Sequence, residues 1–176
     1  MPDSLHTQLD HPTSPVPAFF PVSVLKLVVM SICTLGLYEL YWFHGNWVLI
    51  RDRESSTISP ARRTLFAVLF CYPLFSRIRD FAASSQTRTR LPALPLAAGW
   101  VLLSLFSRLL PAPYTLLSLL AVVFLVPVQL AANRSNSQVA PSHKANRRLS
   151  AWNWMVVVPG GLLVLLALAG ILLRTR

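Results

Sequence analysis

MVVVPGGLLVLLALAGILL, residues 155–173, runs nineteen positions without a charge, and LLPAPYTLLSLLAVVFLVPVQLAA, residues 109–132, runs twenty-four. At about 1.5 Å per residue, roughly 20 apolar residues bridge the hydrocarbon layer of a bilayer. Either run is long enough alone. Together they decide the fold class expected from the sequence, an all-α polytopic membrane protein. Composition agrees, since the 176-residue chain is 54% hydrophobic and 12% charged, where a soluble domain carries about 25% charged residues. No stretch is left for a separate soluble domain. Residues 21–176 therefore read as a single membrane domain behind a disordered tail at 1–20, which is rich in proline and lacks the basic and apolar regions of a cleavable signal.

Working back from the last run, a span is expected over about 152–173, with Pro159, Gly160 and Gly161 interrupting it near its start. A polar, basic loop at 133–150 precedes it. Another span covers 114–132, with Pro127 placed to kink it near its exit. Pro111 and Pro113 make the tight turn that joins this to a span at 91–108, which has Pro92 and Pro95 in its first turn. The first span covers about 22–43. Its end is marked by Tyr38, Tyr41, Trp42, Phe43 and Trp47, aromatic residues suited to the headgroup level. Cys33 and Cys71 lie in apolar segments, at a spacing that matches no metal or redox motif.

The segment 64–75 decides the topology. Ser59 is a good N-cap and Pro60 a good first helical residue, so a helix is expected over about 60–78. Its apolar part is only twelve residues long, a length more typical of interfacial or re-entrant segments than of spans. If it crossed, seven of the sixteen Lys and Arg would lie inside. If it dips and returns, Lys26, Arg108, Arg174 and Arg176 lie outside and the other twelve inside. Only the second arrangement obeys the positive-inside rule. The expectation is four transmembrane helices plus one short interfacial or re-entrant helix, with both termini outside.

The stretch Thr34, Leu35, Gly36, Tyr38, Tyr41, Trp42 and Phe43 resembles the Thr-Leu-Gly-x-Tyr-x-x-Tyr-Trp-Phe motif of an uncharacterised bacterial integral membrane protein family grouped under a domain of unknown function. The likeness covers about residues 19–80. It continues more loosely through Val128, Gln129, Asn133 and Asn136. It implies a bacterial inner (cytoplasmic) membrane and brings no activity or site residue with it.

Among candidate functional residues Glu39 stands first, as the one acid within a membrane segment, where ionisable groups are costly. It lies near the aromatic belt, where a carboxylate reaches water or headgroups. Arg62 and Arg63, expected on the same side, are its candidate partners. His44 and Asn46 follow the aromatic cluster and are expected to face headgroups, while Lys26 and Arg108 snorkel to the outer interface. The surplus of bases, +10 at pH 7, fits contact with anionic headgroups better than nucleic acid, since the bases flank apolar runs. No catalytic triad, metal-ligand spacing or phosphate loop is present, so neither a cofactor nor an enzyme is expected. The reading is a membrane protein with an assembly, interaction or envelope-maintenance role, acting with a membrane-protein partner or as a homo-oligomer. Its rival is a small transporter or channel subunit using Glu39. A membrane enzyme would need Glu39, His44 or His143 close together.

Overall fold

The structure, a computed structural model, describes residues 16–85, 90–111, 114–141, 146 and 150–174, and every regular element among them is a helix. The first, α1 (Val24–Cys33), begins where the Ser23 hydroxyl accepts the Lys26 N–H at 3.2 Å, satisfying one of the donors that a helix start leaves open. It stops after 10 residues. The Gly36 N–H donates to Ser31 O at 2.8 Å and the Leu35 N–H to Ile32 O at 3.1 Å, the paired bonds that close a helix through a left-handed residue. Leu35 and Gly36 both have positive φ, 51° and 88°. Thr34 Oγ1 donates to Met30 O at 2.7 Å and accepts the Tyr38 N–H at 2.8 Å. One side chain thus finishes α1 and starts α2 (Leu37–Glu54).

The single helix expected over 22–43 is therefore a helical hairpin. The chain reverses because Thr34 and two left-handed residues replace the bonds that a continuing helix would make, and hydropathy does not sense that substitution. The two ends of the hairpin are then tied to a common clamp. Asn136 of α6 (Val122–Val139) accepts the Phe19 N–H at 2.9 Å and donates to Phe19 O at 2.8 Å. Gln129 Nε2 donates to Phe20 O at 3.1 Å and Val22 O at 3.0 Å, while its Oε1 accepts from the Trp42 indole. Asn133 donates to Val22 O at 2.9 Å, and Asn46 accepts the Phe20 N–H at 3.1 Å. Phe19 is fully buried, so the tail expected over 1–20 ends before Ala18, which is itself in the core; residues 1–15 lie outside the described residues.

The clamp also revises the expected sidedness. Arg53 donates to Ala18 O at 2.8 Å, and Lys26 donates to Asn146 at 2.8 Å. Residues 18–26 thus share one end of the molecule with the end of α2 and with Asn146, instead of lying opposite them. The loop expected over 133–150 begins later, since α6 continues to Val139. An extended segment whose backbone groups are claimed by α2 and α6 side chains cannot sit at the far end of either helix.

The helix expected over 60–78 begins as foreseen, with Ser59 capping Arg62 N–H and Pro60 at the first position. It breaks at Phe66 into α3 (Pro60–Leu65) and α4 (Ala67–Ser84), and α4 carries Pro73 within it. The Arg63 guanidinium stacks 4.3 Å from the Trp47 ring and 5.1 Å from Phe70, holding this elbow along α2. Next come α5 (Ala93–Leu109), a 3₁₀ segment (Tyr114–Ala121) packed beside it, and α6. Last is α7 (Ala151–Arg174), which is one helix through Pro159 and not interrupted there. Its main neighbour is α1. The contact is at Gly160, where an added Cβ would fall 1.8 Å from Cys33 O, so only a missing side chain allows the approach.

The architecture is all-α, and two helices are long and apolar enough to cross a membrane, Tyr114–Val139 and Ala151–Leu173. Val24–Cys33 and Ala93–Ser107 are apolar but shorter, so four helices of spanning length are not present among the described residues. The core is aromatic. Phe43 and Phe75 stack at 6.3 Å, with Trp42 edge-on to Phe43 at 5.2 Å and Trp100 at 4.9 Å from it.

Candidate functional site

The hairpin turn determines where Glu39 goes. Three residues after Gly36, and in the first turn of α2, its side chain points into the interior and is only 4% exposed. The open access to water or headgroups expected of it is narrowed to the edge of one cavity, because the chain reverses at Gly36 and carries Glu39 inward. α5 crosses at this level and supplies Trp100, whose indole N–H donates to Glu39 Oε2 at 2.7 Å. Oε1 is buried and has no hydrogen-bond partner among the described residues.

A buried carboxyl with one donor is under-compensated. The start of α2 partly offsets this, since the free N–H groups and the dipole of a helix N-terminus favour negative charge. Beside Glu39 lies a cavity of about 280 Å³, whose wall includes Leu40, Leu65, Trp100, Ser104 and Ser118. Most of its lining is apolar, and two serine hydroxyls are the remaining polar side chains.

The other expected residues do not converge here. Arg62 is exposed and Arg63 is held over Trp47. Both line a separate cavity of about 460 Å³ beside Ser59 and Phe70. Neither forms an ion pair with Glu39 among the described residues. Asn46 is fully buried and serves the clamp, binding Phe20 N–H and donating to Trp42 O at 2.9 Å. It meets no headgroup. His44 is half-buried on α2, five positions from Glu39 and so about 140° around the helix axis, on another face. His143 and the Arg108 side chain lie outside the described residues. Lys26, expected at an outer interface, is 5% exposed and bound to Asn146.

Trp100 and Gln129 carry more of the polar architecture than sequence reasoning assigned them. Sixty-one residues separate Trp100 from Glu39, and a lone tryptophan in an apolar span has no distinguishing pattern. Gln129 is a better-marked case: an amide inside an uncharged run signals a buried hydrogen-bond duty. Among the described residues no group of three His, Cys, Asp or Glu is placed to hold a metal ion. No protein-family model, curated protein or solved structure matches the chain.

Proposed function

We propose that this chain is a multi-pass protein of the bacterial inner membrane with an assembly, interaction or envelope-maintenance role and no chemistry of its own. The observation that carries the reading is α7. Leu165, Leu166 and Leu172 are 64%, 60% and 68% exposed, and such a continuous apolar surface is untenable in water. Acyl chains, or a helix of another membrane protein, are its natural covering. In this reading the α1–α2 and α3–α4 hairpins dip into the bilayer from the basic end and return to it. α5 and residues 114–139 cross and come back, and α7 crosses last. The basic end then lies in the cytoplasm against anionic headgroups, as the positive-inside rule requires. The likeness of residues 34–43 to a bacterial membrane-protein motif supports the same compartment. The test is photocrosslinking from Leu165 and Leu168 in native membranes, followed by pull-down in mild detergent. A recurrent protein adduct, or a second copy of the chain, is expected; lipid adducts alone on a lone species overturn the reading.

A second reading, a small transporter or channel subunit, is favoured by one observation, the buried oxygen of Glu39 that has no hydrogen-bond partner among the described residues. It predicts that Glu39→Gln abolishes flux in proteoliposomes while the protein remains folded. Equal flux in the variant ends it.

A further inference from the structure

We propose that the cavity beside Glu39 is a binding site for a lipophilic organic cation, a quaternary or protonated amine bearing an apolar group. The inference rests on the second reading for its site, and it supplies the ligand class. Glu39 places a carboxylate oxygen that has no hydrogen-bond partner among the described residues inside the protein, beside a cavity of about 280 Å³. That volume lies just under the usual range of small-molecule pockets, about 300–1,000 Å³, so the site suits a small ligand.

The chemistry of the wall selects among cations. A calcium ion takes six to eight oxygen ligands and magnesium an octahedron of them. Glu39, Ser104 and Ser118 provide too few side-chain oxygens for either, and anions are repelled by the carboxylate. An organic cation needs less: one opposite charge, an aromatic surface and apolar walls around its substituents. Glu39 supplies the charge. Trp100 supplies the aromatic ring, and its N–H keeps the carboxylate from rotating away. Leu40, Leu65, Val68 and Leu105 supply the apolar walls. The rim adds a further filter, since Leu35, Leu37 and Leu65 are 50%, 68% and 78% exposed. A ligand therefore enters past apolar surface, which favours lipophilic cations over strongly hydrated ones. Among the described residues of the cavity wall no basic side chain competes for the carboxylate.

The experiment is calorimetric titration of the purified full chain in detergent with benzyltrimethylammonium, a permanent cation that carries one aromatic ring. Saturable one-to-one binding is expected for the parent. At least a tenfold loss is expected for Glu39→Gln, and no change for Glu54→Gln, whose carboxylate is at the surface with Arg77. Ser104→Leu, which fills the cavity and leaves Glu39 in place, is expected to abolish binding; it decides the matter if Glu39→Gln does not fold. Absence of saturable binding by the parent overturns the proposal, as does equal binding by the parent and both cavity variants. Flux is measured separately in proteoliposomes, so binding without transport removes the second reading and leaves the site standing.

Discussion

The amino-terminal clamp and the carboxy-terminal helix are held by opposite means. Residues 18–22 form no helix, yet Phe19 and Val22 are fully buried and their backbone groups are bound by Asn46, Gln129, Asn133 and Asn136. Helix α7 satisfies its own backbone and meets the rest of the chain chiefly along α1. In its most apolar window only 11% of residues are buried, against 44% for residues 114–139. An irregular segment surrounded by apolar side chains needs side-chain partners for its N–H and C=O groups, whereas a helix needs only an apolar surrounding. Directional polar bonds therefore specify one region, and a single close backbone approach the other.

Breaking the clamp is the most damaging change. Gln129→Leu strands the Trp42 indole and removes one donor each from Phe20 O, Val22 O and Asn133 Oδ1. A stranded buried group costs about 1–3 kcal/mol, and each lost hydrogen bond about 1 kcal/mol. We expect a loss of about 4 kcal/mol in detergent unfolding, with hydrogen exchange at the Phe19 and Phe20 amides accelerated more than in α7. An unchanged exchange pattern would mean that the amides do not hold this segment.

The α7 contact comes next. Gly160→Ala forces a Cβ against Cys33 O, while Gly170 has nothing within 4 Å. The first substitution is expected to cost about 2 kcal/mol, since backbone and not a flexible side chain must move. It should also speed maleimide labelling of Cys33. Gly170→Ala is expected to stabilise slightly through helix propensity, by less than about 1 kcal/mol. Similar effects at both glycines would remove the special status of the Gly160 contact.

The turn follows in size. Gly36 has φ of 88°, a conformation that costs other L-residues roughly 1–2 kcal/mol. Gly36→Ala should destabilise by about that amount, while Leu35→Gly should be close to neutral because relief of strain offsets added chain entropy. Smallest is Arg77→Ala, which removes the surface ion pair with Glu54. Its effect is expected at about 0.5 kcal/mol, disappearing in high salt.

What the sequence conveyed follows the same division. The all-α class and the Ser59–Pro60 helix start were legible, because uncharged length and capping chemistry are local properties. The turn at Thr34–Gly36 was not, since glycine is common in membrane helices and hydropathy stays high across it. Burial of residues 18–22 was equally hidden, because prolines near an end look like a tail until distant amides claim the backbone. Pro159 misled in the other direction: a proline accompanied by glycines reads as a break, but here one missing bond in α7 is tolerated. At the candidate site Glu39 was visible as a costly acid. Its depth depends on the hairpin and its donor on α5, and neither leaves a mark on neighbouring residues.

The clamp has a consequence for biosynthesis. Phe19 and Asn136 are 117 positions apart, so at a ribosomal pace of about 5–20 residues per second the partner arrives roughly 6–23 seconds late. Throughout that interval the nascent amino-terminal hairpin has emerged with its backbone groups still wet. In the membrane arrangement proposed above it therefore waits at the bilayer surface, or in the care of the insertion machinery, until α6 is translated and draws it into place.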